Sequence, residues 1–302
     1  MTCTLGELEL VGAGGEPVDL RRTLASHGVA SLPPQVLDEE AWTLEATLPV
    51  GGGAARTVRV SAGVAGHAAV AVLGGRAGAA ERRTLLATVR QMLRLDDDLS
   101  GFYAVAAADP ELAWAAAGAG RMLRSPTVFE DVVKTICTTN CSWALTTKMV
   151  TAFVEHLGDP APDGRRAFPS AAAMAAADET FYREVARSGY RAPYFRQLAA
   201  SVASGEVDLE ALADPELSDD EAGARLLALP GIGSYGAAHV MLTSLGRYSR
   251  LVLDSWTRPT YARLNGRRAK DSTIERRFRR YGEWAGLAFW LYLTRSWVKE
   301  ET

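Results

Sequence analysis

The pattern of hydrophobic and polar positions divides the chain into two parts. Up to about residue 79, apolar residues alternate with polar ones as in β-strands, whereas from about Arg82 they recur at the spacing of amphipathic helices. The alternating stretches are TLGELELV (4–11), WTLEATLPV (42–50), RTVRVSAGV (56–64) and HAAVAVLGG (67–75), with helical spacing over 18–26. We therefore predict an α+β fold, with an antiparallel-sheet domain over 1–79 and an all-helical body over 80–302.

Composition adds the expectation of a folded protein of the cytoplasm. The chain has 302 residues, of which 48% are hydrophobic, so it can bury a sizeable core. Its first fourteen residues lack the basic start and apolar core of a signal peptide, and no apolar run approaches the roughly 18 residues of a membrane span. Three cysteines and four scattered histidines form neither a disulfide framework nor a zinc pattern, so no metal is predicted.

The charge is distributed unevenly along the chain. The net charge is −3, but residues 247–280 hold eleven Lys and Arg against three Asp and Glu, a local balance of +8. A solvated helix face would look the same, yet this segment directly follows a glycine-rich turn. That position favours a surface that faces phosphate groups.

The glycine-rich turn lies in LPGIGSYGAAHV, residues 229–240. Pro230 ends one predicted helix, Gly231 and Gly233 allow backbone angles that a side chain would disfavour, and the next helix starts near Ser234. Free amides at the positive end of a helix can bind an anion without a basic side chain. An ordinary connection between two helices has the same local pattern, so the surrounding residues must decide.

Those residues resemble the helix-hairpin-helix (HhH-GPD) motif of base-excision DNA glycosylases, in which LPGxG is followed about 20 residues later by an aspartate. Asp254 lies 21 residues after Gly233. ICTTNCSWALTTKMV (136–150), GYRAPYFRQLA (189–199) and YGEWAGLAFWLYL (281–293) resemble stretches of the 8-oxoguanine DNA glycosylases, in the same order. The first part is similar in pattern to the amino-terminal domain that those enzymes share with bacterial alkyladenine glycosylases. The resemblance implies that the hairpin holds the DNA backbone with Leu229, Pro230, Gly231, Ile232, Gly233 and Ser234.

Asp254 is the predicted catalytic residue. Cleavage of an N-glycosidic bond leaves positive charge on the sugar, and a nearby carboxylate stabilises that transition state more than the neutral substrate. The carboxylate can also orient or deprotonate water. Taken alone, an aspartate after LVL is more typical of a helix cap, but a cap can also position a functional carboxylate.

Tyr235 occupies the place where bifunctional members of the superfamily carry a lysine. A phenol cannot form the Schiff base that such a lysine makes with the sugar. Lys148, Lys270 and Lys299 are the nearest alternatives by chain region, and none is at the motif position. The resemblance therefore implies a monofunctional enzyme that uses water as its nucleophile and has no lyase activity.

Three residues match those that open the DNA duplex in the family. Asn140 matches the asparagine that fills the gap left by the extruded base, Tyr190 an aromatic wedge, and Arg191 an arginine that contacts the opposite base. Taken alone, Asn140 would be interpreted as a helix cap, Tyr190 as a core residue and Arg191 as a surface charge. Leu145 occupies the position of a second arginine of the 8-oxoguanine enzymes. The preference for one opposite base is therefore not predicted.

The predicted base pocket departs from that of the 8-oxoguanine enzymes. Where those enzymes have a glutamine and a phenylalanine, this chain has Phe289 and Leu293. Trp256 occupies the position of a histidine, and His239 that of a cysteine. The resulting pocket is aromatic, although helical core is the ordinary role of consecutive apolar residues. The predicted pocket comprises Tyr235, His239, Trp256, Phe289 and Leu293, with Trp290 and Tyr292 as further candidates.

Together these features predict a monofunctional DNA glycosylase that flips an alkylated purine out of duplex DNA and releases it by Asp254-assisted hydrolysis. An oxidised-purine glycosylase with an altered pocket and a catalytically silent binder of damaged DNA are the alternatives. The predicted partner is duplex DNA with a damaged base, no membrane is involved, and a monomer is expected. No cofactor is expected, because the four-cysteine tail that holds an iron–sulfur cluster in some relatives is absent; a structural monovalent cation at the hairpin is the one alternative.

Overall fold

The computed structural model describes residues 1–298 and begins with a five-stranded antiparallel sheet. The strands are β1 (Thr2–Glu9), β2 (Gln35–Asp38), β3 (Thr43–Gly51), β4 (Ala54–Ala62) and β5 (His67–Leu73). Their order in the sheet is β1-β5-β4-β3-β2, with every neighbouring pair antiparallel. Four of these strands coincide with the alternating stretches of the sequence, and β2 is an addition.

Twelve α-helices accompany the sheet within residues 1–298. They are α1 (Leu20–Leu24), α2 (Ala79–Met92), α3 (Ser100–Ala107), α4 (Val128–Thr138), α5 (Trp143–Leu157), α6 (Ala171–Ala176), α7 (Ala192–Ala203), α8 (Asp219–Leu227), α9 (Ser234–Val240), α10 (Thr257–Asn265), α11 (Asp271–Phe278) and α12 (Ala285–Thr294). The predicted α+β fold, a sheet followed by a helical body, is confirmed.

The core of the sheet extends past the predicted domain boundary at residue 79. One face of β3, β4 and β5 is buried, and α2 packs on that face through Leu85, Val89 and Met92. Alternation along the strands and the three- to four-residue spacing along α2 place all these apolar side chains on one side. The helix that starts at Ala79 therefore belongs structurally to the sheet.

Helix α9 lies between the two apolar clusters of the helical body. Ala237 and Val240 belong to the cluster that also includes α4, α5 and α7, whereas Ala238 and Leu242 belong to the cluster of α3, α10, α11 and α12. The helix that follows the glycine turn is thereby fixed to both halves of the body, whereas the loop that carries Asp254 packs on the second cluster through Val252.

Buried polar groups join the sheet unit to the helical body. Lys134 of α4 is fully buried, and its Nζ lies 2.7 Å from Glu130 Oε1 and donates to the carbonyl of Leu32 at 3.2 Å. Arg121 is also fully buried and pairs with Glu16. Because a buried charge without its partner is costly, these contacts hold the segments around Glu16 and Leu32 at fixed places against the body.

Candidate active site

The hairpin joins α8 to α9 and directs its backbone outward. Leu229 and Ile232 are buried in the core, which anchors both sides of the turn. The amides of Gly233, Ser234 and Tyr235 make no hydrogen bond within residues 1–298. Donors are thus left at the positive end of a helix, as anion binding requires.

The two glycines of the hairpin serve different purposes. Gly231 has φ +79°, and a Cβ there would lie 2.9 Å from Tyr194 Cδ2, so both the backbone conformation and the space require glycine. Gly233 has φ −103°, and a Cβ there would meet no atom within 4 Å. A side chain at Gly233 would therefore contact only an approaching ligand.

Asp254 caps the first turn of α10 with one of its carboxylate oxygens. Oδ1 accepts hydrogen bonds from the amides of Trp256 at 2.8 Å and Thr257 at 2.6 Å, and Thr257 Oγ1 accepts one from the Asp254 amide at 2.8 Å. No hydrogen bond from residues 1–298 reaches Oδ2. The carboxylate is half-buried and held in place by Oδ1, which leaves Oδ2 available for chemistry.

Tyr235 lies in the first turn of α9, close enough to Asp254 to be affected by its charge. Its hydroxyl is 3.2 Å from Thr138 Oγ1 at the end of α4. Burial raises the pKa of the phenol, the hydrogen bond with Thr138 opposes part of that rise, and the negative charge of Asp254 adds to it. Tyr235 is therefore a neutral hydroxyl at neutral pH.

His239 follows Tyr235 by one helical turn and extends the same wall inward. The two ring centroids are 5.7 Å apart, and His239 Nδ1 lies 3.4 Å from Thr135 Oγ1. Burial lowers the pKa of His239 to about 3, and the nearby His27 adds to that effect. The imidazole is neutral at neutral pH and contributes polarity without charge.

Trp256 and Trp290 form an aromatic wall beside Asp254. Their ring centroids are 5.6 Å apart, and Trp256 is 37% exposed while Trp290 is 5% exposed. Trp290 Nε1 donates to the carbonyl of Ser26 at 2.8 Å. An exposed indole therefore lies next to a buried and fixed one.

Phe289 and Leu293, both predicted to line the base pocket, are buried in the helical core of this structure. Phe289 is fully buried, with its ring centroid 5.1 Å from that of Phe278 and 6.3 Å from that of Tyr261, inside the helical core. Successive residues of a helix point about 100° apart, so the neighbouring Trp290 faces Trp256 instead. Leu293, four residues after Phe289, is 4% exposed and belongs to the same core cluster. The run FWLY is apolar at every position, so its periodicity could not show which residue faces the site.

The structure brings Asn140 and Tyr190 together, as the duplex-opening role requires. Asn140 connects α4 to α5 with φ +47°, and its Nδ2 donates to the Tyr190 hydroxyl at 3.4 Å. Tyr190 is 55% exposed. An exposed aromatic side chain and an exposed amide thus share one edge of the body.

Arg191, which is predicted to contact the opposite base, is buried in this structure. It is 3% exposed, its Nε donates to Thr139 Oγ1 at 3.2 Å, and its Nη2 donates to the Thr139 carbonyl. A cation at the carboxyl end of α4 is favourable because the helix dipole is negative there. In this conformation Arg191 supports the loop that carries Asn140 and does not present its guanidinium at the surface.

The basic segment is partly neutralised by ion pairs. Five of its eleven cations pair with acidic residues: Arg247 with Asp219, Arg250 with Asp220, Arg258 with Asp271, Arg277 with Glu111, and Arg280 with Asp109. Arg279 lines a groove of about 440 Å³ together with Ser234 and Ala237 of the hairpin helix. The groove therefore links the free amides of the hairpin to a cation that has no ion pair among residues 1–298.

Residues 1–298 were compared with the requirements of a metal site and of a membrane-spanning helix. Residues 1–298 contain no group of three or more His, Cys, Asp and Glu side chains that could hold a metal ion. None of the helices described is long and apolar enough to cross a membrane. Lys148 lies on α5 and Lys270 just before α11, whereas Lys299 lies outside the described residues.

Comparison with known proteins identifies the fold. No protein-family model matches the chain. The N-glycosylase/DNA lyase OGG1 of Arabidopsis thaliana is 35% identical over 143 residues, which cover 45% of this chain and 38% of that protein, so the match spans well under half of the relative.

Solved structures match almost the whole chain. The 3-methyladenine DNA glycosylase of Archaeoglobus fulgidus has a TM-score of 0.74 at 22% identity, covering 97% of this chain and 99% of its own. The 8-oxoguanine glycosylase/lyase of Clostridium acetobutylicum has a TM-score of 0.71 at 20% identity, covering 93% and 94%. The resemblance first indicated by the hairpin motif is confirmed, and the chain has the fold of the helix-hairpin-helix DNA glycosylases.

Proposed function

We propose that the protein is a DNA glycosylase that removes a damaged base from duplex DNA by hydrolysis. The observation that carries the proposal is Asp254, whose Oδ1 is held by two helix amides while Oδ2 has no partner among residues 1–298, next to a hairpin with outward-facing amides. The similar structures include glycosylases named for both methylated and oxidised bases.

The proposed mechanism assigns one step to each group of the site. The hairpin amides bind phosphate, and Asn140 and Tyr190 occupy the gap when the damaged nucleotide leaves the stack. The base enters beside Tyr235 and Trp256. As the glycosidic bond breaks, its electron pair leaves with the base, and the Asp254 carboxylate stabilises the positive charge on the sugar. Water then attacks the sugar carbon and passes a proton to Asp254.

The proposal includes water, and no protein amine, as the nucleophile. Sodium borohydride added during the reaction is therefore expected to trap no covalent complex between the protein and lesion DNA, because Tyr235 cannot form an imine. The assay is a gel shift under denaturing conditions. Tyr235→Lys serves as the comparison, since it restores an amine at the motif position. An efficient trap with the unaltered protein would show that another amine, such as Lys148 or Lys270, acts as the nucleophile.

We further propose that the substrate is an alkylated purine. A base such as 3-methyladenine or 7-methylguanine is cationic in DNA and has a weakened glycosidic bond, so it needs less activation as a leaving group. Stacking of a cationic ring against an indole contributes about 0.5–2 kcal/mol. Trp256, which is 37% exposed and whose backbone amide donates to Asp254, provides such a surface.

Release of free bases from a panel of defined lesions tests this substrate. We expect methylated purines to be released, and we expect Trp256→Ala to slow release roughly three- to thirtyfold, as loss of a cation–π contact implies. Its affinity for undamaged duplex should change less. Trp42→Ala, in the turn before β3, is the matched control. Release of 8-oxoguanine with methylated purines left in place would contradict the substrate and favour the oxidised-purine alternative.

A further inference from the structure

His27, in the loop after α1, has a buried ring nitrogen with no partner. The side chain is 4% exposed, and Nε2 lies 2.6 Å from the carbonyl of Leu123. Because a carbonyl oxygen only accepts, Nε2 must carry the hydrogen. Burial lowers the pKa of His27 to about 4, so the ring is neutral at neutral pH and Nδ1 holds a lone pair. No donor within residues 1–298 reaches Nδ1.

His27 packs against the wall of the site that Tyr235 and His239 form. The ring centroid of His27 is 5.9 Å from that of His239, with the planes at 83°, and His239 is in turn next to Tyr235. On the other side, the carbonyl of the preceding residue, Ser26, accepts the hydrogen bond from Trp290. Residues 26 and 27 therefore contact both walls of the site, and they come from the amino-terminal part of the chain.

We propose that His27 is a specificity-determining residue whose Nδ1 accepts a hydrogen bond from the flipped base. This inference rests on the proposed glycosylase function. A buried acceptor favours a ligand that presents a donor and disfavours one that presents another lone pair. The 6-amino group of an adenine-type lesion offers such a donor, whereas the 6-oxo group of a guanine-type lesion offers an acceptor at the same position. The site should therefore prefer 6-amino purines.

Methylated duplex DNA, which contains both 3-methyladenine and 7-methylguanine, gives a direct test. We expect the unaltered protein to release 3-methyladenine faster in single turnovers. His27→Phe, which keeps a ring but lacks the acceptor, should lower the ratio of the two rates about tenfold, as loss of a recognition hydrogen bond implies. His27→Gln, which keeps an acceptor, should retain more of the ratio. His67→Phe, a histidine of β5 with its Nδ1 near the Ala65 carbonyl, is the matched control. Equal loss of both rates, or an unchanged ratio, would overturn the role of His27.

A second measurement needs no turnover and no variant. Free adenine and free hypoxanthine, which differ in the group at position 6 and in the proton on N1, are titrated into the full protein while its tryptophan fluorescence, to which Trp256 and Trp290 contribute, is followed. We expect adenine to bind about ten times more tightly, by the same hydrogen-bond argument. Equal affinity, or no binding of either base, overturns the inference.

The two measurements separate the inference from the proposed function. Discrimination in the titration without release of any base would leave the inference standing and remove the glycosylase proposal. Release of bases without discrimination in either assay would do the opposite.

Discussion

Asp254→Asn is expected to lower the rate of base release by a factor on the order of a hundred or more and to leave duplex binding nearly unchanged. The amide is neutral, so it stabilises the positively charged sugar far less than the carboxylate does. Its oxygen can still accept from the amides of Trp256 and Thr257, so the start of α10 should keep its geometry. Single-turnover release and equilibrium binding to lesion duplex are the two measurements.

Two further variants separate catalysis from capping. Asp254→Ala removes both functions and should also lower the free energy of unfolding by about 1 kcal/mol, the usual value of an N-cap. Asp271→Asn neutralises an aspartate at the start of α11 that pairs with Arg258, and it should leave release intact. Near-normal release by Asp254→Asn would remove Asp254 from the mechanism.

Gly233→Ala is expected to weaken binding to all duplex sequences alike, by about tenfold, without loss of stability. Its backbone angles suit alanine and no protein atom lies near the new methyl group, so the effect comes from the approach of the phosphate. Backbone amides that contact phosphate carry no sequence information, which is why the loss should be uniform. Affinities for several unrelated duplexes, with and without a lesion, measure it.

Gly231→Ala should weaken binding and also destabilise the fold, because φ is +79° and Tyr194 occupies the space. Gly205→Ala is the control for backbone strain, since Gly205 has φ +78° but open surroundings, beyond the far end of α7 from Tyr194. A change in lesion preference at constant general affinity in Gly233→Ala would contradict the phosphate-binding role of the hairpin.

Local pattern predicted most of the fold because its signals were complete within each segment. Alternation located four strands, and the glycine turn located the junction of α8 and α9. Strand β2 escaped because it is only four residues long, and it follows Pro33 and Pro34 where the local pattern does not resemble a strand. The position of α2 on the sheet depends on packing between distant segments, which periodicity does not encode.

The sequence predicts those candidate site residues that belong to a local motif. Asp254 and Tyr235 follow from the hairpin motif, and in the structure the charge of Asp254 is close enough to raise the pKa of the Tyr235 phenol. The sequence could not show that Trp290 contacts Trp256 while Phe289 lies in the core, because a helix that is apolar on all sides has no marked face. His27 had no signal in the sequence, since its importance comes from contacts with Leu123 and His239, which are far away along the chain.

The ion pairs of the basic segment also limit how many counterions DNA would give up on binding. Among residues 1–298, five of the eleven cations form ion pairs with acidic residues, and the other six could displace condensed ions from phosphates. If all six did so, this segment would contribute a slope of about −5 to the logarithm of affinity against the logarithm of salt concentration, roughly half of what the sequence alone suggests. Binding should accordingly survive moderate ionic strength better than the dense run of arginines implies.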